Sequence, residues 1–323
     1  MKVGIIGAGN LGRSLISGLL NSGLNKNQIL ASNKTQIKSE KIKADFGIET
    51  RLSNTELVNA SDIVILGVKP QNIQAVCREI SSTVQDRKPL IISLAAGLRT
   101  HDIERWLGNN VAVVRTMSNT PALIRKGATA MFANSYTSQA SKSIACKLLR
   151  SVGEVAWVKN EDHLDTITPL ISCGPAYFFL IIEILQKNAE QMGIEPQIAA
   201  KMAMQTALGS IMMASQSDIN VQDLRRQVTT PNGVTERAIN QLTKGNVSEL
   251  FFNAMEAGKA RCVEFGQMLG KDEKPTEEIV NKNGEITSFF TPNYKNISVN
   301  GSVTSISQTN EVKEQSNKLK SKM

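Results

Sequence analysis

The chain opens on a short unbroken apolar run, "KVGIIG", followed by Leu11, Leu15, Ile16, Leu19 and Leu20 at helical spacing. A strand buried on both faces and then an amphipathic helix produce this pattern. The pattern recurs: "QILAS", "DIVILGV", "PLIISLAAG" and "VAVVRT" are Val/Ile/Leu-rich runs with helix-like segments between them. Ser53 and Glu56 have the spacing of a capping box, and Pro70 stands where a helix begins. Strand and helix in alternation predict an α/β Rossmann fold, doubly wound, with a mostly parallel sheet covered on both faces.

Near Asp162 the period changes. "GPAYFFLIIEILQKNAEQMG", "PQIAAKMAMQTALGSIMMAS" and "VSELFFNAMEAGKARCVEFGQML" read as helices, and no strand pattern returns. The expectation is an all-α dimerisation domain over residues 163–270, after a cofactor-binding domain over 1–162. Its first helix is apolar nearly all round and must be covered on every side. A partner subunit is the expected cover, giving a homodimer from which larger oligomers can be built. The alternative is the central helix of a monomeric bundle. From Lys271 to Met323, Asn, Ser, Thr, Lys and Glu dominate. Too few large apolar residues remain there to offset ordering entropy, so disorder is expected.

Composition narrows the class. The 323 residues are 41% apolar and 20% charged, near globular averages. Met1 runs straight into strand-like sequence, so no charged leader is expected. Ala176 to Leu185 is the longest nearly unbroken apolar run, and it contains Glu183. A bilayer span needs about 20 residues, so a soluble, cytoplasmic protein without a membrane partner is expected. Cys77, Cys146, Cys173 and Cys262 are scattered, which argues for a reducing compartment and against disulfides or zinc. His101 and His163 lie far apart, and no carboxylate or thiol pattern is read beside them, so no metal is expected. The net charge is +8, but residues 1–160 hold 21 Lys+Arg against 10 Asp+Glu. Aromatics are only 4%, and no base-stacking motif appears. A phosphorylated cofactor therefore suits the basic half better than nucleic acid does.

"GAGNLG", Gly7 to Gly12, follows a strand and opens a helix. In that context G-x-G-x-x-G is a dinucleotide cradle. Gly7 permits the turn, Gly9 admits the pyrophosphate, and Gly12 lets the helix pack on the strand. Ile6, Ala8, Asn10 and Leu11 complete the loop. After the second strand an NAD enzyme carries Asp or Glu for the ribose 2′-hydroxyl. Here Asn33 and Lys34 stand instead, which predicts NADPH over a weaker NADH.

Three further stretches carry a resemblance: "NTPAL" within "RTMSNTPALIRKGAT", "CGPAYFF", and the threonine-rich "VTTPNGVT". With "LGVKP" and "AAG", in this order, they resemble pyrroline-5-carboxylate reductase over residues 1 to about 270. The resemblance implies an NADPH-binding Rossmann domain, a helical dimerisation domain, and a cyclic imine carboxylate at the dimer interface. Hydride would go to its C=N carbon, giving proline. It further implies that Asn33 and Asn54 face the 2′-phosphate and that Val68, Lys69, Pro70, Ala95, Ala96 and Gly97 border the nicotinamide. Asn119, Thr120, Pro121, Thr229, Thr230, Gly233, Val234 and Thr235 would hold substrate, with Thr235 as the catalytic hydrogen bonder. A carboxylate leaving water needs several donors, which hydroxyls and helix-start amides supply. The plainer reading is a turn with Thr235 capping a helix. A cyclic imine can be protonated from solvent, so the missing lysine on the "GPAYFF" helix is no obstacle. Asn232, where most members have glycine, and Ile171-Ser172-Cys173, where they have small residues, depart from the pattern. These leave open a paralogue acting on another cyclic imine, or a protein that binds NADPH without turnover.

Overall fold

The computed structural model describes residues 1–271, so the expected disordered tail lies outside the described residues apart from Lys271. The first half alternates β1 (Val3–Ile6), α1 (Asn10–Asn21), β2 (Ile29–Ser32), α2 (Gln36–Phe46), β3 (Glu49–Arg51), α3 (Asn54–Asn59), β4 (Ile63–Leu66), α4 (Ile73–Arg87), β5 (Leu90–Ser93), α5 (Thr100–Trp106) and β6 (Val113–Met117). Then come β7 (Gly127–Ala133), α6 (Gln139–Arg150) and β8 (Gly153–Trp157). The eight strands form one sheet in the order β3-β2-β1-β4-β5-β6-β7-β8. All pairs are parallel except β6 with β7.

Side-chain alternation along each strand feeds two cores. Val3, Ile5, Ile63 and Ile65 pack with Leu15, Ile16 and Leu19 of α1 on one face. Ile6, Val64 and Leu66 pack with Ile73, Ile80 and Val84 of α4 on the other. This double burial is why the strands read as continuous apolar runs. The run "PLIISLAAG" is strand only to Ser93. Gly97, at φ +80, turns the chain away beyond it.

The second half contains α7 (Asp162–Ile171), α8 (Gly174–Gln191), α9 (Pro196–Gln216), α10 (Val221–Gln227), α11 (Val234–Lys244) and α12 (Val247–Leu269). Full burial of α8 is not met within one chain: Gly174 is its only buried residue, while Phe178, Phe179 and Leu180 are more than half exposed. A single chain simply lacks the surface that would cover it. The stretch 162–191 is also long and apolar enough, by length and composition, to cross a membrane. Reading only the ten-residue unbroken run missed this, because α7 contributes Leu164, Ile167, Leu170 and Ile171 before α8 begins.

Helix α12 returns to the Rossmann half. A Cβ on Gly266 would sit 2.5 Å from the Gly97 carbonyl oxygen, so only glycine permits this backbone contact. Beside it lies a buried ion cluster. Arg115 of β6, 1% exposed, pairs through Nη2 with Asp165 at 2.5 Å and through Nη1 with Glu161 at 3.3 Å. Arg99 binds Asp162 and Asp165, and Glu161 accepts from the Thr100 amide and hydroxyl. The Cys262 thiol of α12 is buried against Asp165 and Thr168. Strand, loop, α7 and α12 are thereby tied at one point.

Candidate active site

The glycine loop leaves β1 with Gly7 at φ +84, where the nearest atoms to an added Cβ belong to Val68. Nothing lies within 4 Å of a Cβ on Gly9, whereas a Cβ on Gly12 would sit 3.2 Å from the Gly7 oxygen. The first amide of α1 that finds an acceptor in the turn is Arg13, on Gly9. The amides of Asn10, Leu11 and Gly12 precede it and point out of the helix end. Ile6 and Ala8 are buried behind the loop. Open space with outward amides at a helix N-terminus suits a pyrophosphate.

Asn33 is buried at the end of β2. Its Oδ1 accepts from the Ala8 amide at 3.1 Å, which fixes the side chain beside the loop. Its Nδ2 is buried and has no partner. A buried donor without an acceptor is costly, and a bound ribose or phosphate oxygen would relieve it. The residues present therefore fit a dinucleotide. Lys34 is exposed next to it. Asn54 is less available: it accepts from Ser32 Oγ at 2.7 Å and donates to Glu79 at 2.9 Å. Ser32 and Glu79 went unread in the sequence, because nothing in their spacing links them to Asn54.

Val68, against the Gly7 turn, and Pro70 are half-buried, and Lys69 is exposed. Ala95 and Gly97 are buried, with Ala96 between them half-exposed. Asn119 anchors its own loop by accepting from the Ala128 amide at 2.9 Å. Asn119 and Pro121 border a groove of about 660 Å³ with Ile171, Gly174, Pro175 and Phe178. Thr120 is exposed.

The threonine loop lies elsewhere on the chain, joining α10 to α11. The hydroxyls of Thr230 and Thr235 have no hydrogen-bond partner among the described residues. The Thr229 hydroxyl donates to the Arg225 carbonyl at 2.6 Å, so its proton is committed to closing α10. Gly233, not Thr235, is the N-cap of α11, and a Cβ there would meet Thr230 Oγ1 at 2.4 Å. Thr235 is free of the capping role because the helix already begins at Val234. Val234, Thr235 and Glu236 offer first-turn amides ahead of Arg237, which bonds Gly233. Within the single chain α11 packs on α12, and the loop does not line the groove at Asn119.

Comparison with known proteins places this geometry. Residues 2–97 match the NADP oxidoreductase, coenzyme F420-dependent family, and residues 161–265 match the family described as pyrroline-5-carboxylate reductase dimerisation. A pyrroline-5-carboxylate reductase of Pseudomonas aeruginosa is 39% identical over 270 residues, covering 84% of this chain and 98% of that protein. The chain belongs to the pyrroline-5-carboxylate reductase family. The solved reductase of Coxiella burnetii is 40% identical with a TM-score of 0.79, covering 82% of this chain and 98% of that one. That of Plasmodium falciparum, with NADP bound, is 26% identical with a TM-score of 0.72 over the same shares. The fold is thus a Rossmann half followed by a dimerisation half, and the chain is an oxidoreductase that uses a nicotinamide cofactor.

Within the reductase family pattern, the departures have physical outcomes here. Asn232 adopts φ +58, the left-handed conformation that asparagine tolerates. Its amide donates to Glu236 at 2.8 Å, which stiffens the turn. Ile171 is 7% exposed and fills the small cluster around Met117 and Leu164. Tyr177 packs edge-on against Phe251, with centroids 5.9 Å apart. Desolvation and the neighbouring Cys173 raise its pKa, so it stays a neutral phenol. Burial pushes the Cys77 thiol up to about 12 and raises Cys262, so neither is a nucleophile at neutral pH. His101 does have a carboxylate beside it, contrary to expectation: its Nε2 is 3.2 Å from Asp102, one position on. No metal-ligating group of three occurs among the described residues.

Proposed function

We propose that this chain reduces 1-pyrroline-5-carboxylate to L-proline with NADPH, acting as a homodimer or a larger assembly of dimers. The observation that carries the reading is the Thr230–Thr235 loop, a neutral donor-rich turn whose two hydroxyls lack partners among the described residues, in a chain that also holds a glycine cradle. Thr230 and Thr235, with the first-turn amides of α11, hold the substrate carboxylate. Asn119, Thr120 and Pro121 border the ring, and Thr229, Gly233 and Val234 shape the turn. The pocket carries no added positive charge to oppose an iminium. The loop of one subunit serves the crevice of its partner, which accounts for the distance between loop and groove within one chain.

Bound nicotinamide supplies the hydride. The chain supplies position, with Val68, Lys69, Pro70, Ala95, Ala96 and Gly97 as the wall of the crevice. Proximity and orientation carry most of the rate, and Thr235 hydrogen-bonds the substrate without being a required acid. NADPH is preferred because Asn33 Nδ2 is an unpaired donor, Lys34 is a cation, and no acid follows β2. The working division is 1–162 for cofactor and 163–270 for subunit contact and substrate. The apolar faces of α8 and α9 belong to the subunit interface and not to a bilayer, in a soluble cytoplasmic protein. Loss of NADPH absorbance with and without the imine tests the reaction, as does rescue of a proline auxotroph. Ile171 beside the groove favours one second reading, a reductase of a different cyclic imine. NADPH bound tightly but not oxidised by pyrroline-5-carboxylate decides against the main proposal.

A further inference from the structure

A second concave site lies at the other end of the sheet. β7 runs antiparallel to β6, pairing Val114 with Ala133 and Met117 with Ala130. The C-terminal ends of β7 and β8 therefore sit beside the start of β6, opposite the edge from which the glycine loop leaves β1. There, a groove of about 710 Å³ opens between α6 and the end of β8. That size is ordinary for a small-molecule site. Lys142, Lys147 and Arg150 of α6 line it, with Lys159 just beyond β8. The rings of Trp157 and Phe132 form part of its wall, and Trp157 is 38% exposed.

The charge there is unbalanced. None of the four cations has an ion-pair partner among the described residues. Two acids just beyond Lys159 are spent: Glu161 on Arg115 and Thr100, Asp162 on Arg99. Residues 121–160 contain six Lys+Arg and a single acid, Glu154, which lies outside the groove lining. Four converging cations repel one another unless an anion is present. The cofactor cradle does not absorb this charge, since Lys34 and Lys69 are the cations assigned to it.

We propose that this groove binds a nucleoside polyphosphate, with the phosphates among Lys142, Lys147, Arg150 and Lys159 and the base against Trp157. A lone indole beside clustered cations suits one base with its own phosphates. A nucleic-acid track needs a stripe of both, and the groove is a single bounded concavity.

The protein has two tryptophans, and Trp106 is 4% exposed, so fluorescence changes report chiefly on Trp157. The full chain, saturated with NADP⁺ to fill the glycine loop, is titrated with ADP by fluorescence and calorimetry. Saturable quenching with half-saturation below about 1 mM, weakened at least tenfold in Lys142→Glu/Lys147→Glu, supports the site. The same double variant retains NADPH oxidation. Trp157→Phe loses the optical signal while calorimetry still records binding, weakened. Absence of saturable binding, or equal binding by the double variant, overturns the proposal. So does tripolyphosphate binding as tightly as ADP, which leaves the indole idle, or a single-stranded oligonucleotide binding far more tightly than ADP.

Discussion

Asn33→Asp isolates the cofactor preference with almost no change of shape. The aspartate keeps an oxygen for the Ala8 amide, now 3.1 Å from Asn33 Oδ1, so the glycine loop stays in place. What changes is the other atom: a buried donor without a partner becomes a carboxylate oxygen. Facing a 2′-phosphate at about 4 Å, two unit charges at an effective dielectric near 20 repel by about 4 kcal/mol. The loop is open to solvent at Gly9 and Asn10, so water and salt remove much of that, leaving roughly 1–2 kcal/mol. Losing a hydrogen bond to a charged group adds about 1.5–3 kcal/mol. NADPH should therefore weaken by about 3 kcal/mol, roughly 150-fold in Kd. NADH has no 2′-phosphate to repel, and its 2′-hydroxyl gains an acceptor, so its Kd holds or falls. Fluorescence titration of both cofactors, with kcat/KM for each, gives the ratio directly. A change in NADPH affinity of less than about threefold, with thermal stability unaltered, would refute the placement of Asn33 at the 2′ position.

Thr235→Ala should lower kcat/KM for the imine by roughly 1–3 kcal/mol while NADPH affinity is retained, as steady-state kinetics beside a cofactor titration will show. Phe178→Asp places a charge on an apolar face exposed in the single chain; light scattering should find monomer, with NADPH still bound but turnover gone. Arg115→Met strips a 1%-exposed cation from Asp165 and Glu161, and denaturant unfolding should record a loss of about 3–5 kcal/mol. Asp102 has its pKa raised by burial, with His101 and Arg105 opposing. Its stabilising contribution is complete below pH 3.8 and is lost as pH rises through the folded value. The Tm of Asp102→Asn relative to the parent should therefore climb as pH increases above 3.8.

The sheet was legible where strands are buried on both faces, since β1, β2, β4, β5 and β6 carry Val, Ile and Leu along most of their length. β3 and β8 are the sheet edges, and β7 joins the last parallel strand to one of them; all three mix small and polar residues. A run such as "GATAMFA" has no period that separates it from a loop, because its environment comes from its neighbours. Helices α7 and α10 escaped for a related reason: each is 10 residues or fewer, and tertiary contact decides such lengths. Arg115 in "VAVVRT" is a charge in a buried strand, a pattern that demands a counter-ion and that the strand reading passed over. Its partners, 46 and 50 residues away, were not legible.

The same distinction separates the two halves of the candidate site. The cofactor cradle is largely local: turn, backbone approach and helix end fall within Gly7–Gly12, so a short motif specifies them, and Asn33 is fixed to that loop from outside by the Ala8 amide. A substrate pocket has no such economy. Its proposed donors hang on α11, whose first-turn amides find no acceptor among the described residues, while the groove at Asn119 and Phe178 stands open on another face. Two incomplete surfaces on one chain are costly apart, and the proposed two-fold pairing would let each complete the other. Oligomerisation and catalysis would then have one physical cause, and a variant that separates the subunits should abolish turnover while leaving the cradle able to bind NADPH.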